Sequence, residues 1–275
     1  MRVDATAFNA RPMTLERFAR SALAIVLLAA CGVAAAAQCS AESSAHRVPL
    51  LELYTSEGCD SCPPADRWFG ALPTRGLTPE RVVALAFHVD YWNYLGWNDP
   101  FSKAEYSARQ RAASVRNKAR FVYTPQFLLD GRDFRRGVFR DDFTDRVGAI
   151  SREKARATIR LDQVAKADGA VMVHGTVAVT DAAQRQGARA YVALYENKLS
   201  NRITAGENRG KRLQHDFVVR ELSPPQPAGP DGTVVLQHRF DLDQHWKRGD
   251  LHIAAFVQNE RTGETLQAMA VRVCR

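Results

Sequence analysis

Cysteine is scarce in this chain, five among 275 residues, and only one C-x-x-C occurs. A structural zinc site of four thiolates would need a second such pair. The seven histidines are dispersed. No Ser-His-Asp order, phosphate-cradling loop or paired-carboxylate motif accompanies them, so the signatures of triad hydrolases, nucleotide binders and glycosidases are missing. No internal repeat is present. The apolar run Ala22–Ala30 is shorter than the ~20 residues a membrane-spanning helix needs. The formal charge is +8. Its cations are spread as Arg109, Arg111, Arg116, Lys118 and Arg120, then Arg132, Arg135, Arg136 and Arg140, intervals that suit solvated helix and turn faces. Without a recognition motif, nucleic acid is not an expected partner. Weak attraction to an anionic membrane surface is compatible with the charge.

What is present begins with an export pattern. Arg11, Arg17 and Arg20 form a basic region, Ala22–Ala30 an apolar one, and Ala34-Ala35-Ala36-Ala37 a small-residue cleavage site. Residues 1–37 are therefore expected to be a signal peptide. Leu28-Ala29-Ala30-Cys31 offers a second cleavage site, at which Cys31 would carry a lipid anchor. Both readings place the protein outside the cytoplasm: periplasmic or secreted in the first, a membrane-anchored lipoprotein in the second. Cys39, Cys59, Cys62 and Cys274 then remain, an even number in an oxidising compartment, and four cysteines allow three connectivities. Proximity favours Cys59 with Cys62, which leaves a structural Cys39–Cys274 bridge between the ends of the mature chain.

Gly58-Cys59-Asp60-Ser61-Cys62-Pro63-Pro64 follows directly on a strand-like run, Val48 to Tyr54. Two cysteines three apart at a helix start bring two sulfurs within bonding reach. The helix N-terminus offers N–H groups and a positive dipole, which favour a thiolate. The Asp60 carboxylate opposes that dipole. Strand, turn, C-x-x-C and helix together read as a thioredoxin-like redox motif.

The rest of the first half fits that reading. After the helix of residues 60–72 comes a second strand-type run, Arg81 to Val89. An aromatic loop leads to a helix over 103–119, and Phe121 to Gly131 carries Thr124-Pro125 before a third strand. Arg136 to Phe139 is expected as its hairpin partner, and residues 141–156 as a closing helix. In this setting a cis Pro125 would face the cysteines and free a backbone edge for an extended substrate. A trans proline at a strand start is the alternative. From about Thr158 the texture turns to alternating runs with polar turns, seven strand candidates in all. The expected fold class is a thioredoxin-like α/β domain over residues 46–157, followed by an all-β sandwich-like domain over 158–275.

Three segments carry a family resemblance: Leu51 to Asp66 with its cysteines, Phe87-His88-Val89-Asp90-Tyr91-Trp92-Asn93-Tyr94-Leu95-Gly96-Trp97, and Tyr123-Thr124-Pro125-Gln126. Gly206-Glu207-Asn208-Arg209-Gly210 in the second half adds to them. Together they resemble the family catalogued as domain of unknown function 1223. The resemblance implies a thioredoxin-like, bacterial and mostly exported protein, without settling activity or substrate. Gly58 stands where thioredoxins have tryptophan, and Asp60-Ser61 replaces their Gly-Pro.

Three functional readings follow. In a thiol–disulfide oxidoreductase Cys59, the more exposed sulfur, is the nucleophile and Cys62 resolves the mixed disulfide. Thr124 and Pro125 orient the incoming chain, and protein thiols or disulfides are the substrates. No cofactor and no resident metal are expected in this reading. In a copper-handling protein Cys59 and Cys62 hold a soft ion, with His88 and Asp90 as further ligands; a satisfied buried histidine is the competing reading of His88. In a scaffold protein the Cys59–Cys62 disulfide stays closed and the β-rich half does the binding. Tyr91, Trp92, Tyr94 and Trp97 read either as an apolar rim beside the cysteines or as packing of a long loop. Gly206 to Gly210 reads as a hairpin turn, with contact to the first half as the alternative.

Overall fold

Two short runs of mainly aliphatic residues set the centre of the molecule. They form the parallel strands β2 (Leu50–Thr55) and β3 (Val83–His88), with Leu50 opposite Val83 and Thr55 opposite His88. Both are buried along their whole length, as parallel strands covered on both faces must be. Helix α1 (Pro63–Gly70) connects them and α2 (Ala104–Arg116) follows. Strand β4 (Gln126–Leu129) runs antiparallel to β2, and β5 (Arg132–Asp133) antiparallel to β4. Helix α3 (Phe143–Ile150) follows. The computed structural model describes Met1 and residues 38–134 and 142–274. The expected signal segment with Cys31, and the expected hairpin partner at Arg136–Phe139, lie outside the described residues.

The second half does not stand apart. Strand β11 (Val218–Leu222) lies parallel to β3, Val218 opposite Ala86, and the Ala86 N–H donates to the Phe217 carbonyl at 2.8 Å. Beyond β11 come β8 (Ala188–Glu196), β14 (Leu251–Asn259) and β15 (Thr265–Arg272). With β12 (Gln226–Pro227) on β8, they complete one nine-stranded mixed sheet, ordered β15-β14-β8-β11-β3-β2-β4-β5. A second, antiparallel sheet takes β1 (Gln38–Glu42) from the beginning of the described chain and adds β6 (Ala157–Ala165), β7 (Val171–Val179) and β13 (Thr233–Phe240). Strands β9 (Leu199–Arg202) and β10 (Arg212–His215) form a separate hairpin.

The expected fold class is thereby corrected. A thioredoxin-like α/β domain followed by an all-β sandwich-like domain would keep its sheets on either side of residue 158. Instead strand predominates over helix, the large sheet draws strands from both halves, and β1 joins the sheet of the later half. The described residues from Gln38 onward belong to one compact unit. The reason lies in β8 and β14, which bury both faces. Ala188, Ala190, Val192 and Leu194 face one core together with Leu251, Ile253, Ala255 and Val257. Tyr191, Ala193, Tyr195, Ala254 and Phe256 face the other, against residues of β2, β3 and the helices. At roughly 2 kcal/mol for each large aliphatic side chain buried, the two cores share one wall that neither could lose.

The expected Cys39–Cys274 bridge is present. Cys39 and Cys274 form a disulfide with a Cα–Cα distance of 6.0 Å across a sequence separation of 235. Beside it Gln163 accepts from the Cys274 N–H at 3.1 Å and donates to the Arg272 carbonyl at 3.0 Å.

Candidate functional site

Cys59 and Cys62 sit between the end of β2 and the start of α1. They are joined as a disulfide with a Cα–Cα distance of 5.5 Å. Cys62 is the N-cap residue, and its carbonyl accepts from the N–H groups of Ala65 and Asp66 at 2.9 and 3.0 Å. Pro63 and Pro64 open the helix. Their fixed φ favours helix initiation, and they bring no N–H. The helix start therefore offers fewer donors to a thiolate than the sequence reading supposed. The Ser61 hydroxyl reaches Cys59 Sγ at 3.3 Å, and the Thr124 carbonyl lies 3.9 Å from the same sulfur.

The expectation that Cys59 is the exposed sulfur is corrected: Cys59 and Cys62 are both 0% exposed. The β9–β10 hairpin supplies much of the cover. Its turn contains Gly206 and Gly210, both at positive φ, +71° and +85°, a backbone region that glycine enters without steric cost. Between them Asn208 is fully buried, and its Nδ2 donates to the Glu57 and Cys59 carbonyls at 2.8 Å each. The Asp60 N–H donates to the Glu207 carboxylate at 3.1 Å. Residues 206–210 are thus both a hairpin turn and a contact on the first half.

Glu57 is the anchor beneath this cover. It is 0% exposed, and its carboxylate accepts from Trp97 Nε1 at 2.9 Å, Asn201 Nδ2 at 2.9 Å and His215 Nε2 at 3.0 Å. Its N–H donates to Asp99 at 2.8 Å. A buried carboxylate is tolerated only where such partners replace water. The other ring nitrogen of His215 lies 3.6 Å from Asp66, which also accepts from the Thr55 hydroxyl. Burial pushes the Asp66 carboxyl above the ordinary carboxylate range, against the pull of His215 and His88.

His88 Nδ1 and Asp99 stand 2.7 Å apart, both buried, and the His88 and His215 rings meet edge to face with centroids 5.0 Å apart. Burial works against the His88 imidazolium. The Asp99 charge and hydrogen bond, with Asp66 and Glu57 nearby, outweigh it and raise His88 above the usual histidine value. Asp99 is correspondingly held low: burial opposes its ionisation, while His88 and the Glu57 and Phe101 N–H groups favour it. Asp90 bonds instead to Ser107. His88 and Asp90 therefore do not converge on the cysteines, and among the described residues no group of three His, Cys, Asp or Glu is placed to hold a metal ion.

Of the residues expected at the site, Thr124 and Pro125 are brought beside Cys59, and the bond between them is cis. The Trp92 indole donates to the Thr124 hydroxyl at 2.7 Å. Trp92 also explains Gly58: a Cβ there would stand 3.0 Å from the Trp92 Cβ and 3.2 Å from its carbonyl. The aromatic loop is mainly packing. Trp92 and Trp97 are hydrogen-bonded inward, Tyr91 bonds to Gln110, and only Tyr94 is largely exposed. Sequence reasoning missed Glu57, Asn208 and His215. A charged residue closing a buried strand, two positions before a cysteine, was the signal available for Glu57. For Asn208 the signal was its place between Gly206 and Gly210, a loop with contact to the first half as one reading; His215 gave none, since only the tertiary fold brings it there.

The fold and site together define a predominantly β-sheet protein with a hairpin-covered dicysteine. The chain belongs to the family described as Protein of unknown function (DUF1223), whose model matches residues 50–258. Its fold is similar to that of protein AGR_C_4864 from Agrobacterium tumefaciens, a crystal structure with a TM-score of 0.54 and 24% identity; the match covers 84% of this chain and 96% of that one. It is also similar to HBP35 of Porphyromonas gingivalis, with a TM-score of 0.62, 18% identity, and 84% and 76% of the two chains covered. At these identities the likeness is one of fold. No curated protein is significantly similar to the chain.

Proposed function

We propose that the protein is an exported thiol–disulfide exchange protein that works through Cys59 and Cys62, with protein thiols as substrates. The observation that carries this reading is the placement of one short disulfide at a helix start, beside a carbonyl and a hydroxyl, beneath the β9–β10 hairpin. As a staple the bond would do little. In the chain-entropy model, closing a four-residue loop stabilises by about 2 kcal/mol, against about 5 kcal/mol for a loop as long as that of Cys39–Cys274.

In the exchange, the hairpin turn lifts and a substrate thiolate attacks Cys59 Sγ. The new sulfur–sulfur bond forms as the Cys59–Cys62 bond breaks, and Cys62 leaves as a thiolate that takes a proton from solvent. A second substrate thiolate then attacks the substrate sulfur of the mixed disulfide and releases Cys59. The substrate dithiol is oxidised by two electrons, and the Cys59–Cys62 pair is reduced by two. The Thr124 carbonyl and the backbone beside it orient the incoming chain.

The complete burial of both sulfurs favours a second reading, a permanently closed disulfide in a binding or scaffold protein, because buried cysteines are inert unless exposed by motion. The reduction potential separates the two. Equilibration of the purified protein in glutathione buffers, with thiol trapping, should give a value between roughly −120 and −270 mV for a working pair. A value below about −300 mV marks a structural bond and sinks the exchange reading. The four cysteines of the described chain, all paired, suit an oxidising compartment.

A further inference from the structure

The hairpin that covers the cysteines carries an unbalanced charge. Arg202 on β9 stands directly opposite Arg212 on β10. Both are exposed, and among the described residues neither has a carboxylate within ion-pair distance; Arg212 reaches only the Ser200 hydroxyl, at 3.2 Å. Like charges directly across a strand pair are destabilising, and among the described residues no carboxylate within ion-pair distance offsets this pair. Arg212 also lines a depression of about 80 Å³ with Pro63, Asp66, Arg67, Leu213 and Gln214. Pro63 is the residue after Cys62, and Arg67 is exposed and likewise without a carboxylate partner among the described residues. Exposed Arg209 and Lys211 lie on the turn itself. Of the acidic groups nearby, Glu207 accepts from the Asp60 N–H and Asp66 is buried against His215, while the exposed Asp60 beside the turn leaves the cations of the hairpin in excess.

We propose that Arg67, Arg202 and Arg212 form a docking surface for an acidic segment of the protein that exchanges with Cys59–Cys62. The proposal rests on the exchange reading and names its partner class. Guanidinium groups hold carboxylates through paired N–H donors in a fixed fork, and two of them on adjacent strands present a site that a single lysine could not. A carboxylate seated between Arg202 and Arg212 would relieve their repulsion while placing the partner chain beside the residue that follows Cys62.

Docking is tested apart from chemistry. Binding of a fluorescent, cysteine-free peptide rich in Asp and Glu to the oxidised protein is followed by anisotropy, with a Lys-rich peptide and anionic phosphatidylglycerol vesicles as comparisons. Saturable binding of the acidic peptide is expected. It should weaken with salt and fall at least tenfold in both the Arg202→Ser/Arg212→Ser and the Arg202→Glu variants. In Arg202→Glu a cross-strand pair with Arg212 replaces the repulsion and favours the hairpin, and an unchanged urea midpoint of that variant separates lost binding from unfolding. Absence of saturable binding, equal affinity in the variants, or variant-sensitive binding to vesicles alone would overturn the proposal. Reduction of the same protein by neutral dithiothreitol reads the exchange chemistry independently: no reduction with intact peptide binding would fail the exchange reading and leave the docking surface standing.

Discussion

Asn208 closes the site by donating one side-chain amide to two carbonyls, those of Glu57 and Cys59, at 2.8 Å each. A residue from the second half thereby fixes the backbone on both sides of Gly58. Each such bond contributes about 1 kcal/mol. Asn208→Ala should therefore populate the opened hairpin roughly 10- to 30-fold more and speed reduction of Cys59–Cys62 by dithiothreitol to the same degree. Stopped-flow thiol release measures it. An unchanged rate would mean that the disulfide reacts without hairpin opening.

Glu57 receives three donors in its carboxylate, from Trp97, Asn201 and His215. In Glu57→Gln one amide oxygen must serve all three, and the new NH2 faces donors. The substitution should cost about 3 kcal/mol in urea unfolding and alter the tryptophan emission through Trp97. Loss of stability with unchanged emission would place the damage elsewhere than at the hairpin anchor.

Removal of the terminal bridge should act on the unfolded state. Cys39→Ser/Cys274→Ser opens a loop with a sequence separation of 235, and the fall in stability should approach about 5 kcal/mol, read from the urea midpoint of oxidised protein. A fall under about 1 kcal/mol would show that the unfolded chain without the bridge retains structure that already restricts the loop.

The His88–Asp99 pair predicts a stability plateau against pH. His88 is raised above its ordinary 6.5, so the folded state holds more protons than the unfolded one above that pH. Its contribution is complete below 6.5 and is lost as pH rises through the folded value. Asp99 is lowered below 3.8, so its contribution is complete above 3.8 and is lost as pH falls through the folded value. Asp99→Asn removes the counter-charge, and the alkaline fall should move to lower pH in thermal unfolding curves. An unmoved alkaline limb would mean that His88 does not titrate in it.

Local structure was legible in the sequence wherever neighbours along the chain decide it. The apolar runs at Leu50 and Val83 became β2 and β3, the C-x-x-C fell at the start of α1, and Thr262-Gly263 turned β14 into β15. Alternation over Val171–Val179 gave a half-buried strand. The same alternation could not show that β8 and β14 bury both faces, because their second face is apolar for a partner far away in the sequence. That hidden second face misled the division at residue 158.

Thus the amino-acid order by itself favoured Cys59 with Cys62, by proximity, and the structure shows that pair together with Cys39–Cys274. The order also set the strand and helix that frame the dicysteine. Only the tertiary structure decided that the site is closed. The pairing of Val218 with Ala86 carries the second half onto the first, and the β9–β10 hairpin follows it onto Glu57. Hydrogen bonds between residues so distant in the chain form only after the shared sheet has brought them together, and no local pattern encodes them.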